Sequence, residues 1–222
     1  MMEKMLIVVP SRGRPQNAKR LFDSWEGNEC REARLIFCID DDDPTGVQYE
    51  ATGASVEAGP RKRIGPILNE KIMSVANDYE IIGFMGDDHL PRTKHWDTII
   101  TEKLEEMKTG IVYGNDLLQG AIIPTAVFIT TNIIRSLGYF CPPTLEHMYL
   151  DNAWKDWGEG AQCLHYFPDV IIEHMHPGVG KAEGDVTYQE SNALMGPDQD
   201  RYKVYQQTQM ATDIAAIKAL MI

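Results

Sequence analysis

One stretch of the sequence indicates how the chain folds: Tyr79-Glu-Ile-Ile-Gly-Phe-Met-Gly-Asp-Asp-His-Leu-Pro91. Its apolar run, 81–85, has apolar residues on both faces of an extended chain, which is typical of a buried parallel strand. Asp87 and Asp88 follow the run, so both carboxylates are predicted at the carboxyl end of that strand. Open α/β sheets bind ligands at this edge, and paired carboxylates there suit a Mg²⁺ or Mn²⁺ ion that carries a phosphate. Taken alone, the pair fits an ordinary Asp-rich turn equally well.

Length and composition indicate one globular domain, expected to comprise residues 1–222. Contents of 43% apolar and 24% charged residues are ordinary for such a domain and argue against disorder. The formal charge of −12 disfavours binding to nucleic acid through a broad basic face, but it leaves a local basic patch open. Apolar runs are shorter than a membrane span or a signal-peptide core, so we expect a cytoplasmic protein without a membrane span.

Strand and helix patterns alternate through the first half of the sequence. Apolar runs typical of strands lie at 5–10, 34–39, 79–85 and 110–114. The segments between them carry apolar residues at helical spacing, as at Ala18, Leu21 and Trp25. One of these helices is predicted to begin near Pro91. The alternation predicts an α/β fold with a mainly parallel sheet and helices on both faces.

The second half has more loop and a less regular pattern. Helices are predicted from Asp151 to Gly158 and from about Asp198. The carboxylate of Asp151 is either a helix cap or, within a site, a general base. A strand at 170–177 has a period of two, which puts His174 and His176 on the same side. Two such imidazoles can bind a metal, although a polar strand end is the simpler interpretation.

Polar loops follow the first two predicted strands. The loop at 11–15 carries Arg12 and Arg14, which can meet a phosphate or a nucleobase or can simply be solvated. The acidic run 40–43 comes after the second strand; Asp40 is predicted to bond a nucleotide while the later acids mostly face water. The basic loop 59–66 and the helix after it carry exposed polar residues that could face a diphosphate. These are Arg61, Lys62, Arg63 and Asn69.

Taken together, these segments resemble the GT-A-fold glycosyltransferases, the nucleotide-sugar enzymes of family 2-like type. Val8-Val-Pro-Ser-Arg-Gly-Arg-Pro15 is similar to their opening nucleotide-binding strand. Phe37-Cys-Ile-Asp40 is similar to their second strand, whose acid contacts the base or ribose. Met85-Gly-Asp-Asp88 is similar to their Asp-x-Asp metal motif, with Met85 in place of the first acid, so either Asp87 alone or the pair of Asp87 and Asp88 is its equivalent. The resemblance covers about residues 5 to 180.

The resemblance implies a role for each part of the chain. Residues 1–115 would bind the nucleotide-sugar and residues 116–222 the acceptor, the latter as a C-terminal elaboration of the sheet. Donor-binding residues are expected to be Pro10, Ser11, Arg12, Arg14, Asp40, Arg63, Asn69 and Asp88. The expected ligands of a Mn²⁺ or Mg²⁺ cofactor are Asp87 and a late histidine, His174 or His176. Asp151 is expected to be the catalytic base.

The implied function is metal-dependent transfer of a sugar from a nucleoside-diphosphate sugar to a hydroxyl group. The acceptor would be a glycan, a small molecule or, if a phage encodes the chain, a modified nucleobase in the host cytoplasm. A base at Asp151 favours inversion at the anomeric carbon, and retention stays open. A sugar nucleotidyltransferase is one alternative, although a glycine-rich phosphate loop after the first strand is missing. A non-catalytic nucleotide- or sugar-binding module is another.

Overall fold

Strands and helices alternate along the computed structural model, which describes residues 2–182 and 184–221. The strands are β1 (Glu3–Ser11), β2 (Ala33–Asp40), β3 (Ser55–Gly59), β4 (Tyr79–Phe84), β5 (His89–Pro91), β6 (Ile111–Asn115), β7 (Val127–Thr130) and β8 (Leu164–His174). The helices are α1 (Pro15–Gly27), α2 (Gly46–Glu50), α3 (Ile64–Val75), α4 (Trp96–Met107), α5 (Thr131–Leu137), α6 (Leu150–Ala161), α7 (Val186–Asn192), α8 (Met195–Thr208) and α9 (Met210–Ala219). A 3₁₀ turn, Pro177–Val179, follows β8.

The described strands form one eight-stranded sheet in the order β3-β2-β1-β4-β7-β6-β8-β5. The first four neighbours in this order are parallel. β7 runs antiparallel to both β4 and β6, β8 is parallel to β6, and β5 is antiparallel to β8. The predicted α/β class with a mainly parallel sheet is therefore confirmed. Its antiparallel pairs all involve strands that the sequence pattern defines less clearly.

The two faces of the sheet explain why the apolar runs are continuous. Along β1, Leu6 and Val8 belong to one buried cluster, whereas Met5, Ile7 and Val9 belong to another. Residues of α3, α5, α6 and α9 join the first cluster, and residues of α1 and α4 join the second. Because successive side chains of a strand point to opposite faces, helices on both faces require apolar residues at every position.

β4 lies between β1 and β7 and brings the paired acids to the edge of the sheet. A Cβ at Gly83 would lie 2.6 Å from Ile7 Cδ1 and 2.6 Å from Phe128 Cδ1. Glycine is needed at this position because the neighbouring strands' side chains close over the backbone. The strand ends at Phe84, and Asp87 and Asp88 follow at its carboxyl end, as predicted.

The segment after the acids is a strand, and the prediction that a helix begins near Pro91 is wrong. Residues 89–91 form β5, and α4 begins at Trp96. In the pairing of β5 with β8, His89 lies opposite His174. β8 ends at His174, so the predicted strand extends too far and His176 lies beyond it. A strand of three residues is too short to give a periodic signal.

Two predictions about the later helices are also wrong. α6 continues past Gly158 to Ala161. The absent side chain makes room for the next strand, since a Cβ at Gly158 would lie 2.8 Å from Leu164 Cβ. The helix predicted from about Asp198 begins at Met195 and is divided into α8 and α9.

Candidate active site

A cavity of about 1010 Å³ opens at the carboxyl ends of β1, β2 and β4. The segment before α6 and the segment after β8 form its other walls. All the predicted site residues except Asn69 line it. These are Pro10, Ser11, Arg12, Arg14, Asp40, Arg63, Asp87, Asp88, Asp151, His174 and His176. The fold therefore collects side chains that are up to 166 positions apart into one cavity.

The side chain of Asn69 bonds to the backbone of the 140–141 loop. Its Nδ2 donates to the carbonyl oxygen of Cys141 (2.9 Å). Its Oδ1 accepts from the backbone N–H groups of Phe140 (2.8 Å) and Cys141 (3.0 Å). The prediction that Asn69 is exposed and faces a diphosphate is wrong, because both ends of its amide hold the 140–141 loop.

Asp87 is buried and ties β4 to the loop after β1. Its Oδ2 accepts from Ser11 Oγ at 2.5 Å. Its Oδ1 accepts weakly from Arg14 Nη1 at 3.3 Å and Asn17 Nδ2 at 3.4 Å. Burial and the adjacent charge of Asp88 raise the pKa of Asp87 to about 6, against the opposing effect of Arg14. These contacts connect the carboxyl end of β4 to the loop after β1.

Asp88 lies within a compact group that also contains His89 and His174. One ligand atom from each residue lies within 4.8 Å of the others. His89 Nδ1 is 3.3 Å from Asp88 Oδ1, and His174 Nε2 is 3.4 Å from Asp88 Oδ2. The two imidazoles stack with ring centroids 4.2 Å apart. Burial acts to raise the pKa of Asp88, but His174 and His89 outweigh it and hold that pKa well below its usual value.

The residues of this group fit a divalent cation. The ring nitrogens that face Asp88 are His89 Nδ1, which also accepts from Gly86 N at 3.1 Å, and His174 Nε2. The other two ring nitrogens are buried and have no hydrogen-bond partner among the described residues. A Cβ at Gly86 would lie 2.7 Å from Asp88 Oδ1 and 3.0 Å from His89 Nδ1, so glycine keeps the space beside both groups open. One carboxylate with two imidazoles is a donor set that suits Mn²⁺ and other first-row metals. His176 is outside the group, and its Nδ1 accepts from Gly178 N.

The acids after β2 have separate functions. Asp40 is buried and accepts from Arg12 Nη1 at 2.8 Å and weakly from Lys62 N at 3.4 Å. Asp41 and Asp42 are exposed, as predicted. Asp43 is buried, so the prediction that the later acids mostly face water is wrong for it. Its carboxylate accepts from the backbone N–H groups of Gly13 and Thr45, which stabilises the turn on the cavity's edge.

Asp151 lies in the first turn of α6 and lines the cavity. Its Oδ1 accepts from the backbone N–H of Asn152 at 2.9 Å. Burial raises the pKa of Asp151, while His174 acts in the opposite direction. A carboxylate with raised proton affinity at a cavity wall has the properties of a general base.

Comparison with solved structures identifies the architecture. Mannosyltransferase PcManGT from Pyrobaculum calidifontis, in complex with GDP-Man and Mn²⁺, is similar to this chain with a TM-score of 0.63 and 11% identity, over 99% of this chain and 74% of that one. The chain has the GT-A fold.

Two further structures support the GT-A assignment. Glucosyl-3-phosphoglycerate synthase from Mycobacterium tuberculosis, in complex with Mn²⁺, UDP and glucosyl-3-phosphoglycerate, has a TM-score of 0.60 and 12% identity, over 90% of this chain and 80% of that one. S. aureus TarS 1-349 in complex with UDP has a TM-score of 0.57 and 14% identity, over 76% of this chain. The match spans 59% of the TarS chain. Neither a family model nor a curated protein matches the sequence.

Within this GT-A fold, the two aromatic residues near Asp151 differ in exposure, since Trp154 is buried and Tyr149 is partly exposed. Trp154 is 1% exposed, and its Nε1 donates to the carbonyl oxygen of Phe140 at 2.8 Å. Tyr149 stacks on Tyr202 with ring centroids 5.3 Å apart. Trp154 is therefore a core residue and does not offer a stacking surface to a sugar or base.

Within the described ranges, no helix is both long and apolar enough to cross a membrane.

Two residues that build this cavity, His89 and Asp198, were not predicted from the sequence. His89 directly follows the paired acids, and that adjacency was a usable signal. Asp198 lies on α8 and accepts from the backbone N–H groups of His147 and Met148, both at 2.8 Å. It thereby fixes the segment that precedes Asp151, and its position in the sequence gives no indication of this contact.

Proposed function

We propose that the chain is a metal-dependent glycosyltransferase that moves a sugar from a nucleoside-diphosphate sugar to a hydroxyl group with inversion. The observation that carries this proposal is the group of Asp88, His89 and His174, which lies in the same cavity as Arg14 and Asp151. Solved structures with the same fold support it, because two of them hold Mn²⁺ together with GDP-Man or UDP.

In this proposal, residues 1–115 bind the donor and residues 116–222 the acceptor. Asp88, His89 and His174 would hold the cation, which when bound neutralises the negative charge of the leaving diphosphate. The predicted roles of Asp87 and His176 as ligands stay predictions. The contacts of Asp87 with Ser11 and Arg14 favour positioning instead.

The chain's own residues account for the remaining chemistry. Arg14 and the basic loop at 61–63 would pair with phosphate oxygens. Asp151 would accept the proton of the acceptor hydroxyl while the oxygen of that hydroxyl forms a bond to the anomeric carbon. The bond from that carbon to the diphosphate oxygen breaks on the opposite face, and the nucleoside diphosphate leaves with the electron pair. One displacement of this kind inverts the anomeric configuration.

Thermal unfolding with UDP-, GDP- and CDP-sugars, each with Mn²⁺ and with EDTA, tests this function. A true donor at 100 times its Kd stabilises the native state by about 2.7 kcal/mol. For a chain of this size, that corresponds to a rise in Tm of about 5 to 11 °C. The rise should require Mn²⁺, and slow metal-dependent release of free sugar should accompany it.

Other outcomes would exclude the proposal. Stabilisation by nucleoside triphosphates alone would favour a sugar nucleotidyltransferase. Metal-independent stabilisation by a sugar or nucleotide, without release of sugar from any donor, would favour a binding module.

A further inference from the structure

Helix α7 and the residue before it contact three parts of the proposed donor site. Asp185 binds Arg14, Tyr188 binds Asp88, and Glu190 binds the arginines of the 61–63 loop. All three contacts come from one segment of eight residues, 185–192. Each contact uses a group that, under the proposed function, would bind the diphosphate or its cation.

Three N–H groups of the Arg14 side chain bond to this segment and to Asp87. Its Nε and Nη2 donate to the two carboxylate oxygens of Asp185 at 2.6 and 2.5 Å. Its guanidinium carbon lies 4.3 Å from the centre of the Tyr188 ring. Carboxylates and phosphates both match the planar fork of a guanidinium. Asp185 therefore takes the place on Arg14 that a phosphate would need.

Glu190 acts in the same way on the basic loop. Its carboxylate accepts from Arg61 Nη2 at 2.9 Å and from Arg63 Nη1 at 2.9 Å. The side chains of Glu190, Arg61 and Arg63 are 37%, 45% and 41% exposed. Ion pairs as exposed as these contribute little to stability, so an incoming anion can exchange with the carboxylate at low cost.

The third contact involves the proposed metal group. The hydroxyl of Tyr188 donates to Asp88 Oδ2, the oxygen that also faces His174. A cation on that oxygen would compete with the hydroxyl for the same electron pairs.

We propose that the 185–192 segment is an internal latch, whose carboxylates occupy the three arginines until the donor's diphosphate displaces them. This inference rests on the proposed function, because it assigns Arg14, Arg61 and Arg63 to phosphate. The latch holds the arginines in place in the absence of ligand and is released when pyrophosphate groups and the cation take over its partners. The free energy of donor binding is then reduced by the free energy with which the carboxylates of the 185–192 segment bind the same arginines.

Calorimetric titration with Mg²⁺-pyrophosphate tests the latch without any sugar or nucleotide. Glu190→Gln removes the competing charge, and we expect pyrophosphate to bind about 2- to 5-fold more tightly, the range of an exposed ion pair. Glu190→Asp keeps the charge but shortens the side chain, and it should also tighten binding. Asp200→Asn is the matched control, since the Asp200 carboxylate pairs only with Lys203 among the described residues and is 80% exposed.

The results that overturn the latch are specific. Weaker pyrophosphate binding in Glu190→Gln would make Glu190 a positioning residue for the arginines. Tighter binding in Glu190→Gln with no change in Glu190→Asp would reduce the effect to net charge. Equally tighter pyrophosphate binding in Asp200→Asn would also show that the effect comes from net charge.

Amide hydrogen exchange gives a second, independent measurement. The latch predicts faster exchange in residues 185–192 when Mg²⁺-pyrophosphate binds, because the segment loses its partners. Slower exchange would overturn the latch and make the segment a lid that closes over the ligand. Faster exchange without sugar release from any donor would support the latch and contradict the proposed function. Sugar release without a change in exchange would support the proposed function and contradict the latch.

Discussion

Replacement of Gly86 by alanine should disable the metal group while leaving the sheet intact. The new Cβ would lie 2.7 Å from Asp88 Oδ1 and 3.0 Å from His89 Nδ1, where ordinary contacts begin at 3.4 Å. The Asp88 carboxylate must then move by about 0.7 Å, which exceeds the tolerance of about 0.2 Å in metal–ligand distances. Gly86 does not have a positive φ, so the backbone itself accepts alanine.

We expect Mn²⁺ affinity to fall by about 10- to 100-fold, as when a supporting residue of a metal site is lost. That loss corresponds to about 1.4 to 2.7 kcal/mol of binding free energy. Titration followed by the electron paramagnetic resonance signal of free Mn²⁺ measures it directly. Gly59→Ala is the control, because a Cβ there meets nothing within 4 Å. Equal Mn²⁺ affinity in Gly86→Ala and Gly59→Ala would refute the assignment of Asp88 and His89 to the metal.

Three further predictions concern the cavity. Asp151→Asn should keep the donor Kd and lower transfer by about 10²- to 10⁴-fold; near-normal turnover would move the base elsewhere. His174→Ala should weaken Mn²⁺ binding in the same titration, and unchanged affinity would make His174 structural. Burial and Arg63 lower the pKa of His147 to about 4. The unfolded chain therefore binds more protons, and the free energy of unfolding should fall by about 1 to 3 kcal/mol as pH drops from 6.5 to 4. Urea unfolding of His147→Asn should lack this component, and an equal fall in both proteins would contradict the assignment.

The parts of the fold that follow local rules could be predicted from the sequence. β1, β2 and β4 are apolar runs buried on both faces, and polar residues mark the points where they end. Parallel strands bring these ends to one edge, so Arg14, Asp40 and Asp88 were predicted near one another without any knowledge of the contacts. The position of Asp151 in the first turn of a helix was likewise a local property.

The remaining site residues depend on contacts between distant segments. β5 is too short to show a period, so the opposition of His89 and His174 was not visible. Asn69 resembles an exposed polar residue of a helix until the 140–141 loop packs against it. Asp198 accepts from backbone N–H groups about fifty positions earlier in the chain. Because nearly every residue has such a group, the sequence does not indicate which ones Asp198 contacts. The Asp185–Arg14 pair joins residues 171 positions apart.

The pairing of β5 with β8 also sets an order of events during synthesis. Asp88 and His89 leave the ribosome early, but His174 follows only after 85 more residues. At the usual rate of about 5 to 20 residues per second, that interval lasts roughly 4 to 17 s. During this interval β1 to β4 have already been synthesised, whereas the second imidazole of the proposed metal group has not. If the proposed function is right, all three ligands are available only in chains whose synthesis has passed β8, and we expect Mn²⁺ binding by ribosome-bound chains to strengthen at that length.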